Sequence, residues 1–74
     1  MKYIKVGSSN IDLVSYSKKS KVLSIKFKSG LFIYEYFDVP EQTYKNFLEA
    51  ESKGKFFHKN IKNNFDFMKT ELYP

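Results

Sequence analysis

The run Ser52-Lys53-Gly54-Lys55 is where this sequence comes closest to a ligand-holding pattern. A glycine lets a ligand approach the backbone closely. A helix starting just after it would aim free amides and its positive end at the same point. Ser52 offers a hydroxyl, and Lys53, Lys55, Lys59 and Lys62 add ammonium groups nearby. Together they read as a cradle for a phosphate. The run lacks the glycine spacing and the Lys-Ser/Thr pair of a true phosphate loop. Without a ligand it reads as an ordinary connection between two helices, with solvated lysines.

Covalent and metal chemistry find little support. There is no cysteine, and His58 is the only imidazole. A nucleophilic Ser8 or Ser9 would need a base, and no triad spacing is recognisable. Ser8-Ser9 read instead as turn holders through side-chain to backbone bonds, and His58 as a solvated helix residue. One histidine without thiols leaves structural zinc short of ligands. The expectation is a nonenzymatic protein with no catalytic residues, no metal and no cofactor.

Charge is the stronger signal. The chain has 74 residues and a formal net charge of +5, and all 13 basic residues are lysines. Lysine attracts phosphate as a point charge, whereas arginine grips it with two parallel bonds. A lysine-only surface therefore favours loose, salt-sensitive contact with a polyanion. Residues 1–30 carry seven lysines against Asp12 alone. Residues 31–52 carry Glu35, Asp38, Glu41, Glu49 and Glu51 against Lys45, and the balance turns positive again from Lys53. Two basic blocks brought together by the fold would make a polyanion site. The candidate contacts are Lys18, Lys19, Lys26 and Lys28 on the sheet side. Ser52, Lys53, Gly54, Lys55, Lys59 and Lys62 are the candidates on the helix side. Single strands also need aromatic faces for bases, and Tyr36, Phe37 and Phe56 are the candidates there.

These groups need elements to position them. Ile11 and Leu13 alternate, then Val14 and Tyr16 alternate on the opposite parity, which predicts a strand over 10–16 containing a bulge. Leu23, Ile25 and Phe27 predict a second strand over 22–28. Ser29-Gly30 predicts a tight hairpin with glycine at positive φ, leading to a third strand over 31–37. That register sets Ile25 opposite Tyr34 and Leu23 opposite Tyr36, so both tyrosines belong mainly to the core, with a ligand-facing role as the alternative. Ser24, Lys26, Lys28, Leu31, Ile33 and Glu35 share the other face. Pro40 opens a helix with a stripe of Tyr44, Phe47 and Leu48, and Gly54 stops it. A second short helix is predicted over 56–64 on Phe57, Ile61 and Phe65. The apolar tail from Asp66 is open between strand and helix. With 8 Phe and 6 Tyr, the core rests on aromatic burial.

In order along the chain, Ser8-Ser9, Ile11, Val14 and Tyr16 precede the Leu-x-Ile-x-Phe strand at Leu23, Ile25 and Phe27. Ser29-Gly30, the Tyr-x-Tyr at Tyr34 and Tyr36, and Val39-Pro40 follow. Ala50, Ser52, Gly54 and Ile61 complete the set. This ordered set resembles the KTSC domain, a short module found alone in bacterial and phage proteins and at the C-terminus of some lysyl-tRNA synthetases. The resemblance runs over about 6–64 of a single domain spanning 1–74, with 65–74 an extra tail. It implies an α+β fold: a three-stranded antiparallel β-meander followed by two short helices packed on one face. It also implies RNA binding, proposed for the family from its synthetase association. Lysine stands here where many members mix in arginine, including near Ile61.

The reading that results is a nucleic-acid-binding module, RNA in preference to DNA, held by lysine–phosphate contacts. The alternative is a protein-interaction module, such as a phage-type inhibitor or accessory factor on a larger enzyme. It is motivated by the acidic block beside Leu31 and Ile33 and by the apolar tail. No cysteine, no export signal and no membrane-length apolar run lead to the expectation of a cytoplasmic protein with no membrane partner.

Overall fold

A computed structural model of the chain describes residues 3–71. Five strands form one antiparallel sheet: β1 (Ile4–Lys5), β2 (Ile11–Ser17), β3 (Val22–Phe27), β4 (Phe32–Tyr36) and β5 (Phe67–Glu71), in the spatial order of the chain. Between β4 and β5 lie α1 (Glu41–Glu49) and α2 (Lys53–Phe56). The second helix continues without a break into a π-helical turn, Phe57–Ile61. The α+β class and antiparallel meander hold, but the sheet has five strands where three were expected. β1 is two exposed residues, too short to show a period. In β5, adjacent Phe67 and Met68 take opposite faces and both stay exposed, so the half-buried alternation of a strand is missing. Leu72 and Tyr73, also part of the predicted tail, lie outside the described residues.

The predicted register is observed. Leu23 pairs with Tyr36 and Ile25 with Tyr34, while Val14 pairs with Ile25 and Tyr16 with Leu23. The bulge lies between Ile11 and Leu13, so Asp12 is the surplus residue. It lets Ile11 and Val14 bury on the same face despite their odd spacing. The core is Ile11, Val14, Leu23, Ile25, Tyr36, Val39, Phe47, Phe57 and Ile61, which places both helices on that face.

Local details differ from expectation at three points. Gly30 does not take positive φ; the left-handed residues are Lys21 and Asp38, each at 58°. The β3–β4 turn closes when Gly30 N–H donates to the Phe27 carbonyl at 3.2 Å, which asks nothing unusual of the glycine. Pro40 is the residue before α1, its carbonyl accepting from Thr43 and Tyr44 at 3.0 and 3.3 Å. And α1 ends at Glu49, not Gly54. Ala50 turns extended, and the Ser52 hydroxyl accepts from Lys55 N–H at 3.3 Å, starting the next helix. Ser52 is thus an N-cap, and Gly54 sits inside the helix it was expected to precede.

Phe47 anchors α1 and is fully buried. Tyr44 stacks on Tyr16 at 4.7 Å and 16°, and the Tyr16 hydroxyl donates to the Val39 carbonyl. Val39 N–H in turn donates to the Lys21 carbonyl at 3.0 Å. The entry to α1 is therefore tied to the β2–β3 turn. Among the described residues no helix is long and apolar enough to cross a membrane.

Candidate nucleic-acid interface

The helices leave part of their face of the sheet uncovered. Between β3, β4 and the π-helical turn lies a hollow of about 170 Å³, lined by Phe27, Tyr34, Tyr36, Phe57, His58 and Lys62. Its rings brace one another edge to face: Phe27 on Tyr34 at 5.6 Å and 81°, and Phe57 on Tyr36 at 5.5 Å and 78°. Such pairs fix ring orientation as well as bury area. Tyr36 is only 2% exposed, so it supports the hollow from beneath. Burial, with Tyr34 adding a smaller effect, pushes its hydroxyl up to about 12. Phe67 from β5 stacks on Tyr36 at 5.4 Å and 29° while remaining 52% exposed. On the same face, Lys69 Nζ lies 4.4 Å over the Phe32 ring, a cation–π contact.

A second, polar hollow of about 340 Å³ adjoins the first. It is lined by Ser9, Asn10, Phe27, Lys28, Ser29 and His58, so Phe27 and His58 form a shared wall. The chain builds this corner from turns. Ser8 Oγ accepts from the N–H groups of Asn10 and Ile11, both at 3.2 Å, the turn-holding role its position predicts. Lys28 N–H donates to the Asn10 carbonyl at 2.8 Å, locking this turn to the end of β3. The Asn10 amide also lies against Gly54, 3.6 Å from where a Cβ would sit. The start of the second helix therefore borders the polar hollow. On the other side, Lys62 N–H donates to the Phe57 carbonyl at 2.9 Å. That wide turn carries Phe57, His58 and Lys62 to the aromatic hollow.

The sequence-predicted contacts distribute unevenly around these hollows. Lys28 lines the polar one, and Lys62 and Tyr36 line the aromatic one. Lys59 is exposed on the π-helical turn. Lys53 donates to the Ala50 carbonyl at 3.4 Å, Ser52 is occupied as a cap, and Lys55 is exposed in the same first turn. Lys18 and Lys19 sit in the β2–β3 turn, at the opposite end of β3 from Lys28. There Lys18 pairs with Glu41 at 3.4 Å. Lys26 lies on the face away from the helices, 3.3 Å from Asp12. The candidate lysines of the first basic block are thus split three ways, and of these four Lys28 alone lines a hollow.

Of the predicted stacking groups, Phe37 and Phe56 line neither hollow, and Phe56 packs on Phe47 at 6.1 Å. Sequence reasoning did not single out Phe27, Phe67, Lys69, Asn10 or Ser29 as interface residues. Parity did place Tyr34 beside Tyr36. Phe67 and Lys69 share a parity in the tail, a signal that needed the tail to be read as a strand.

Comparison with known proteins follows the same chain segments. The KTSC domain model matches residues 7–65. A lysine–tRNA ligase of Nostoc punctiforme is 42% identical over 64 residues, covering 86% of this chain and 11% of the ligase. This chain thus spans about a ninth of that relative. A protein of Tsukamurella paurometabola is 33% identical over 60 residues, covering 81% of this chain and 88% of its own. The crystal structure of a KTSC domain protein from Yersinia pestis superposes with a TM-score of 0.85 at 38% identity, covering 92% and 94% of the two chains.

Proposed function

The chain belongs to the KTSC domain family, and we propose that it is a nonenzymatic module for single-stranded RNA. The observation that carries this reading is the junction at Phe27 and His58. An aromatic hollow able to take a base there adjoins a lysine- and serine-lined hollow suited to a phosphate. Stacking between bases and aromatic rings tolerates any sequence, and lysine ammonium groups neutralise phosphate without selecting a base. The Nostoc relative, a lysine–tRNA ligase, is consistent with an RNA partner. Lys28, Lys59 and Lys62 serve as the phosphate contacts. Phe27 and Tyr34, both partly exposed, present ring edges and faces, supported by the buried Tyr36 and Phe57.

The test is an amide-shift titration of the isotope-labelled chain with a short oligouridylate at low ionic strength. Shifts are expected at Phe27, Lys28, Tyr34, His58 and Lys62. An absence of shifts, or shifts centred on the β2–β3 turn, rejects the interface. A protein-interaction module is the second reading, favoured by Leu31 at 61% exposure and Met68 at 56%. It requires a complex that survives moderate salt, where lysine–phosphate contacts fade.

A further inference from the structure

β5 is the last strand of the sheet, and among the described residues nothing pairs with its outer edge. All five of its residues are exposed. The direction of its backbone groups follows from the register. Tyr36 pairs with Phe67, Glu35 with Met68, Tyr34 with Lys69, Ile33 with Thr70 and Phe32 with Glu71. One step beyond, Phe37 N–H donates to the Asp66 carbonyl at 2.9 Å. Hydrogen-bonded and non-hydrogen-bonded pairs alternate along an antiparallel ladder. Met68 and Thr70 therefore bond inward to β4, and Phe67, Lys69 and Glu71 turn their N–H and C=O groups outward. Such an open row is a template for another strand.

We propose that a second copy of this chain docks on that edge, β5 against β5, antiparallel, about a two-fold axis passing between the two Thr70 residues. Charge selects this register. Outward groups must meet outward groups, so odd-numbered positions face odd-numbered positions. Centring on Lys69 or on Glu71 sets like charges directly opposite, which destabilises a sheet pair. Centring on Met68 leaves Glu71 facing no cation. Centring on Thr70 places Lys69 opposite Glu71 of the second copy, twice by symmetry. Both side chains lie on the helix-bearing face, with Tyr34 and Phe32 as their β4 neighbours. The two sheets then continue as one, with both aromatic hollows on the same side. The docking does not depend on the RNA reading, since neither Lys28 nor Lys62 takes part.

The test is sedimentation of the whole chain over a concentration series, without RNA. The native chain is expected to show a concentration-dependent dimer. Lys69→Glu alone, or Glu71→Lys alone, should weaken it about tenfold, and the two together should restore it. Lys69→Pro removes an outward N–H and leaves the inward bonds to β4 intact, so it should abolish the dimer with circular dichroism unchanged. A monomer at every concentration overturns the proposal. So does a dimer indifferent to the single charge reversals, a folded Lys69→Pro variant that still dimerises, or an edge that accepts only an unrelated peptide strand.

Discussion

Replacing Lys28 and Lys62 together by glutamine removes the two ammonium groups that line the paired hollows. For single strands, each phosphate neutralised contributes about 0.7 to the slope of log affinity against log salt. Losing two contacts should therefore flatten the slope by about 1.4. Put differently, a tenfold rise in salt should weaken the native chain about 25-fold more than the variant. The control is Lys18→Gln with Lys19→Gln, which removes the same charge from the same net +5. Those residues lie at the far end of β3, where Glu41 already engages Lys18. Their slope should stay near the native value. Fluorescence anisotropy of a labelled oligouridylate, over a salt series for all three proteins, reads the difference. Equal flattening in both variants would mean that RNA senses only net charge, and the placement of the interface would fall.

Phe47→Ala, which empties a fully buried aromatic site under α1, should cost about 3–5 kcal/mol in urea denaturation; a loss below about 1 kcal/mol would show that α1 is not anchored there. Gly54→Ala should stabilise the chain by about 0.4–1 kcal/mol, because Gly54 has no positive φ and its Cβ would make only ordinary contact with Asn10. If that variant instead loses RNA affinity while gaining stability, Gly54 is a place where ligand meets backbone. The Tyr36 hydroxyl, raised by burial from 10.0 to about 12, sets a pH dependence. Below about pH 10 both folded and unfolded chains keep the proton and stability is unaffected. From about 10 to 12 the unfolded chain releases it first, so stability should fall as pH rises. Ultraviolet titration of tyrosinate alongside denaturation checks this, and Tyr36→Phe should remove its share of the fall.

The central hairpin was legible because its side chains alternate without ambiguity. Leu23, Ile25, Tyr34 and Tyr36 share one face, and a short turn leaves a single register that buries them. A bulge also showed as a parity change, but it lies between Ile11 and Leu13 and not between Leu13 and Val14, so Leu13 faces away from the core. What stayed hidden depends on long-range contact. β5 has no buried side, so its sequence carries no half-buried period, and it is a strand because β4 offers an edge. The helix boundary moved because Ser52 acts as a cap, a local bond that outweighs the usual habit of glycine to end helices. For the interface, sequence supplied Lys28 and Lys62 but could not separate them from Lys18 or Lys26. Charge along a chain does not say which end or face of a sheet will carry it. Asn10 and Ser29 entered only when the Ser8 turn folded against the β3–β4 turn.

The wide turn at Phe57–Ile61 holds one residue more than an α-helix would use for the same advance. Delete a single residue from it, Asn60 for example, and the backbone can relax into the common ladder with its amides still bonded. Everything downstream would keep its place about the helix axis, because the turn takes up the extra residue without extra advance. Ile61 would stay in the interior and Lys62 on the rim. What the surplus residue supplies is local: it widens the backbone ring closed by Lys62 N–H on the Phe57 carbonyl, so one residue of chain length reshapes this wall of the groove and leaves the rest in register.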